Sequence, residues 1–196
     1  MKILGIDLAG SEKRKTGICL LDKKLKAHCQ VVFSNKEIFD LIKKEKPCLI
    51  AIDAPLSLPF GRKSLEKKSS IHFRKADLEL SKMKIKFFPI TLGPMRMLTK
   101  RGIFLKEKLK KKFKVIEVYP GATQDILGLP RKQKGREKLL NSIKKIGIKI
   151  PQKNLTTDEL DAICCAFTGY LFLKKKTIPL GDKKEGQIII PQYAPF

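Results

Sequence analysis

Aspartates stand where the chain is most apolar, and that placement constrains the fold more than any other feature. Asp7 lies between Ile6 and Leu8 in KILGIDLAG, Asp53 closes the run CLIAID, and Asp161 sits between Leu160 and Ala162 in TTDELDAICCAFTGYL. An unpaired carboxylate is costly in such surroundings, so its presence asks for a chemical reason. Asp7 and Asp161 have the weakest local explanations. Asp53 also suits the start of a turn at Ala54-Pro55, and Asp158 also suits the positive end of a helix dipole.

Around these acids the pattern alternates strand and helix. KILGIDLAG reads as a buried strand up to Asp7, with a turn at Gly10-Ser11. TGICLLD (16–22) and KAHCQVVF (26–33), joined at Lys23-Lys24, read as two more strands of an antiparallel meander. Ser34 or Asn35 caps a helix that places Ile38, Phe39, Leu41 and Ile42 at helical spacing and that Pro47 ends. CLIAID (48–53) is the fourth strand, and the prolines of APLSLP force the chain out of the sheet, which puts Asp53 at a strand end.

Residues 59–112 carry helical patterns at about 74–86 and 95–112 and read as a basic helical lobe inserted after the fourth strand. KVIEVYP (114–120) returns as a fifth strand, in which alternation points Glu117 to either face of the sheet. Short helices follow at about 121–127 and 135–147. Thr156 and Glu159 form the T-x-x-E capping box of a last helix that runs to about Lys174. Asp158 and Asp161, three residues apart, project from a shared side of its first turns, and Ala162, Cys165 and Ala166 leave room for a sheet to approach.

The 196 residues fit a single domain able to bury a core without staples. Lys and Arg number 43 against 19 Asp and Glu, a net +24, which favours a polyanionic partner. Heat adaptation enriches Glu beside Lys, whereas the Lys excess here is mostly unbalanced. Residues 59–114 hold 18 basic and 4 acidic side chains and residues 131–153 hold 9 and 1, which leaves +2 for everything else. In the lobe, Arg74, Lys75, Arg96, Lys100 and Arg101 are candidate phosphate contacts. Phe73, Phe87, Phe88 and Phe104 offer aromatic surface for bases or, as their helical spacing favours, the core of the lobe.

The short, charge-broken apolar runs and the absence of an export signal at MKILGIDLAG predict a soluble cytoplasmic protein with no membrane partner. Five cysteines without C-x-x-C spacing and two histidines outside any zinc pattern predict buried free thiols.

The segment DELDAICCA, with GID at the start and Asp53 after the fourth strand, resembles the pattern of RuvC-type Holliday-junction resolvases. Over nearly the full length GIDLAGS, IAIDAPLSLP, RKAD, VIEVYPGA, LGLPRK and TTDELDAICCAFTGYL resemble domain-of-unknown-function family 429, described as predicted nucleases of RNase H fold. The resemblance implies an α/β, RNase H-like mixed five-stranded sheet flanked by helices. It also implies two Mg²⁺ or Mn²⁺ ions, with Asp7 bridging both, Asp53 on one, and Asp161 with Asp158 on the other. Such a pair suits in-line phosphodiester hydrolysis of DNA or RNA. Two departures from the resolvase pattern, Asp53 in place of Glu and the additional Glu117, leave the ligand set open. A homodimer would accompany a branched-DNA substrate. Two rival classes keep the same fold: a noncatalytic nucleic-acid-binding module, and an actin-like ATPase, which GIDLAGS fits superficially but which lacks an internal repeat here.

Overall fold

The computed structural model describes residues 1–192. Strands β1 (Lys2–Asp7), β2 (Thr16–Asp22) and β3 (Ala27–Val32) form the expected antiparallel meander. Helix α1 (Asn35–Glu45) is capped by Ser34, whose hydroxyl accepts from the Glu37 amide, and leads into β4 (Leu49–Asp53), parallel to β1. Helices α2 (Lys75–Lys82) and α3 (Gly93–Leu109) occupy the segment before β5 (Val115–Val118). Then come α4 (Pro120–Ile126), α5 (Arg136–Lys145) and α6 (Thr157–Leu173). The Thr156 hydroxyl accepts from the Glu159 amide, and the Glu159 carboxylate accepts from the Thr156 amide.

The sheet has seven strands, in the order β3-β2-β1-β4-β5-β7-β6, rather than the expected five. The additional pair, β6 (Thr177–Asp182) and β7 (Gly186–Pro191), is a hairpin whose second strand joins the parallel edge at β5. Its cue is local: the β-branched run Ile188–Ile190 follows a turn through Lys183-Lys184. The hairpin also anchors the inserted segment. Glu185, buried in its turn, accepts from the amides of Phe60 and Lys75 at 2.8 and 2.7 Å.

Two cores lie on opposite faces of the sheet. Ile3, Leu49, Ala51 and Ile116 face α6 and α5, while Leu4, Ile6, Ile50 and Ile52 face α1 and α3. The inserted segment belongs to this packing, since Leu105 and Leu109 of α3 enter the second core. Leu80 of α2 packs with Leu180, Ile188 and Ile190 of the hairpin. All five cysteines are free, and four are buried as expected, but Cys48 is exposed at the start of β4. Among the described residues no helix is long and apolar enough to cross a membrane.

Candidate active site

Register brings the strand carboxylates together. Asp7 and Asp53 are direct partners in the parallel β1–β4 pair, and both lie on the face covered by α6. That helix approaches unusually closely, because β1 and β2 present glycines beneath it. A Cβ on Gly5 would collide with the Ala162 carbonyl and the Ala166 amide, and one on Gly17 with the Asp158 carbonyl. Gly17 is the β2 partner of Asp7, so the first turn of α6 is held directly beside the end of β1. Asp158 and Asp161 thereby reach the same end of the sheet as Asp7 and Asp53.

These carboxylates act on one another's charge. Burial, then Asp161 and Asp158, push the Asp7 carboxyl up to about 7, against the pull of the Lys132 ammonium and of the neighbouring Asp53 carboxyl. Burial and Asp7 raise Asp53 well above the usual carboxylate range. Two side chains that sequence reasoning missed complete the cluster. The Lys132 ammonium lies 2.7 Å from Asp161 Oδ2, and Gln124 Nε2 donates to Asp161 Oδ1 at 2.7 Å. Partial burial opposes the charge on Lys132, yet Asp161, with Asp7 and Asp158 behind it, holds the ammonium above the ordinary lysine range. Lys132 belongs to the motif LGLPRK and to the basic segment 131–153, and Gln124 to the short helix after VIEVYP, and neither carries chemistry until the fold brings it to α6.

An all-oxygen donor set of carboxylates suits a hard divalent cation, and Lys132 already places a positive charge among the acids. Among the described residues, however, no three Asp, Glu, His or Cys side chains are close enough to close a metal shell as they stand.

Glu117 stands at the margin of this cluster: it lines the same cleft as Asp53 and Asp161 and its charge helps to raise Asp53, but it points to the other face of the sheet. Its register partner is Ile52, so it faces away from α6. There the Arg74 guanidinium binds it through two 2.7 Å hydrogen bonds, and the Leu56 amide donates at 2.8 Å. Arg74 also reaches Asp77 at 2.9 Å and is only 1% exposed, so it is an internal counter-ion rather than a phosphate contact. Arg101 is buried too. Its guanidinium donates to the carbonyls of Ala9 and Phe33 at 2.8 and 2.7 Å and to Asn35 Oδ1 at 2.9 Å, which ties the β1–β2 loop to α3. Of the five expected phosphate contacts, Lys75 and Lys100 are exposed and Arg96 is half-buried; Lys100 pairs with Glu66. Basic side chains nearer the carboxylates come instead from the loop that Arg101 orders: Lys13, Arg14 and Lys15 are exposed and share a cleft with Asp7 and Asp158.

Among solved structures, the chain is similar to T. thermophilus RuvC in complex with a Holliday junction substrate. The TM-score is 0.51 at 13% identity, over 89% of this chain and 96% of that one. A second Thermus thermophilus RuvC structure gives a TM-score of 0.50 at 12% identity with the same coverage. The fold is RNase H-like. No protein-family model matches the chain. No curated protein matches it by sequence. The RNase H-like assignment accounts for the parallel β1–β4–β5 core and for α6 lying across β1.

Proposed function

We propose that this RNase H-like protein is a metal-dependent nuclease that hydrolyses phosphodiester bonds of DNA or RNA. The observation that carries the reading is the meeting of Asp7, Asp53, Asp161 and Asp158 at one end of the sheet, where burial and mutual repulsion push Asp7 up to about 7. Buried carboxylates crowded together cost stability; the Lys132 ammonium offsets part of that cost, and a bound divalent cation would offset more. Asp7, Asp53, Asp161 and Asp158 would hold Mg²⁺ or Mn²⁺, two ions in the full arrangement, supplying charge to offset that developing on a phosphate during in-line attack. Gln124 fixes the orientation of Asp161. Lys132 either yields its place beside Asp161 or remains as part of the positive charge. On the resemblance of its motifs the chain would group with domain-of-unknown-function family 429, and the RuvC likeness supports nucleic acid as the partner. The inserted helical segment then belongs to a single domain of 1–196, and a cytoplasmic location fits such a substrate.

The Lys132–Asp161 ion pair also favours a second reading, a noncatalytic nucleic-acid-binding module in which the ammonium permanently replaces the metal.

Labelled single-stranded, duplex, hybrid and four-way substrates, incubated with Mg²⁺ or Mn²⁺, separate the two. Cleavage by the wild type that falls at least about a hundredfold in both Asp7→Asn and Asp161→Asn supports the nuclease. Cleavage undiminished in both variants, or tight binding without any cleavage, overturns it. Preference for the four-way substrate would go with a two-fold dimer, because two strands are then cut.

A further inference from the structure

Two clefts meet at the carboxylates, and their walls differ in kind. One is basic, formed where Lys13, Arg14 and Lys15 stand beside Asp7. The other, of about 280 Å³, opens at Asp53 and Asp161 and is walled by Phe87, Phe88, Tyr119, Ile90 and Leu98. Met95, Leu98 and Lys132 line both.

The second cleft is a built site. The Tyr119 hydroxyl donates to the Lys86 carbonyl at 2.5 Å, which ties the Phe87-Phe88 segment to the end of β5. The Arg131 guanidinium lies over the Tyr119 ring, 5.5 Å from its centroid, and is itself clamped by both oxygens of Asp125 at 2.7 and 2.6 Å. Phe87 packs edge-on against Phe73 at 6.1 Å. Phe88 has no comparable burial: it lines the cleft while 67% exposed.

The cations on the wall are already paired, Arg74 with Asp77 and Glu117, Arg131 with Asp125, and Lys132 with Asp161. The interior therefore suits a flat, uncharged group better than a phosphate, and its volume lies just below the about 300–1,000 Å³ typical of small-molecule clefts. A base pair inside a duplex cannot enter, whereas a base already unpaired is inserted at little cost.

We propose that the aromatic cleft receives one unpaired nucleobase adjoining the phosphate at the carboxylates, while the Lys13–Lys15 loop holds the backbone on the other side. The preferred substrate is then nucleic acid with an unpaired or displaced nucleotide. The place of the base relative to a scissile bond rests on the nuclease reading; the preference itself does not.

The test is a binding measurement in EDTA. The probes are a DNA duplex with a single bulged 2-aminopurine and the same duplex fully paired. The bulged probe should bind at least about fivefold more tightly, the lower end of what one base–aromatic stack contributes, and its fluorescence should be quenched on binding. Phe88→Ala should bring its affinity down to that of the paired duplex and abolish the quenching; because Phe88 is exposed, the variant should keep its melting temperature. Tyr119→Leu provides a second disruption of the same wall. Equal affinity for the two probes, no binding of either, or a loss in Phe88→Ala shared equally by both overturns the proposal. A protein that shows the preference but never cleaves with Mg²⁺ or Mn²⁺ fails the nuclease reading alone. One that cleaves without the preference fails only the cleft.

Discussion

Asp7 makes the protein's stability depend on pH in a direction opposite to that of an ordinary salt-bridged aspartate. In the folded chain it keeps its proton up to about pH 7, while its ordinary value is 3.8. Between those values the folded state binds more protons than the unfolded one, so raising the pH across the window removes stability. Asp53, also raised, adds to the same slope. Urea melts in EDTA should show the unfolding free energy falling by about 4 kcal/mol at most from Asp7 between pH 4 and 7, with a shallower fall in Asp7→Asn. Stability that rises across that window would contradict the crowding of the carboxylates. Residue identity alone singled out Asp7 and Asp161 as candidates, because a carboxylate between apolar neighbours stands out in any strand or helix. It did not reveal that Arg74 and Arg101 are internal. Both lie in basic, helix-forming surroundings, and only the fold sets Glu117 opposite one and the Ala9 and Phe33 carbonyls opposite the other.

At the scale of elements, the site depends on how closely α6 lies on the sheet, and that depends on two glycines in strands. Glycine weakens a strand interior and is retained where a backbone approaches closely. Gly5 meets backbone atoms of α6, which cannot rotate away as a side-chain end can. Gly5→Val should therefore cost about 3 kcal/mol or more, read as a drop in melting temperature, and should displace Asp161 from Asp7. Wild-type stability in that variant would mean that α6 does not sit where the structure puts it. The sequence announced the small face of α6 through Ala162, Cys165 and Ala166, but not its complement, since Gly5 and Gly17 are unremarkable inside strand patterns. The first five strands and α6 were legible from periodicity and the capping box. The β6–β7 hairpin was not read, because its strands follow the helix that completes the expected arrangement. Its contribution is also nonlocal: Glu185 holds residues of a segment more than a hundred positions earlier.

For the whole molecule, the +24 charge predicts strong, salt-sensitive attachment to nucleic acid, but its effect depends on which cations face the site. The sequence placed the excess in 59–114 and 131–153, and a clamp made only of those segments would count Arg74 and Arg101, which the fold has sealed inside. The β1–β2 loop lies in the nearly neutral remainder yet sets three exposed cations beside Asp7. Replacing Lys13, Arg14 and Lys15 together by Ala should thus flatten the dependence of log affinity on log salt by about 2–3 for duplex DNA, near 0.9 for each phosphate no longer neutralised. Replacing Lys110, Lys111 and Lys112 at the far end of α3, where cations complement the helix terminus, should change the slope by less than about 1. Both slopes come from anisotropy titrations over a range of salt concentrations. If the α3 triple variant loses the greater slope, the backbone runs along the inserted helices, and the basic cleft beside Asp7 is not its path. If the loop variant does, the phosphates are held on the side of the carboxylates opposite Phe88, as a base entering the aromatic cleft requires.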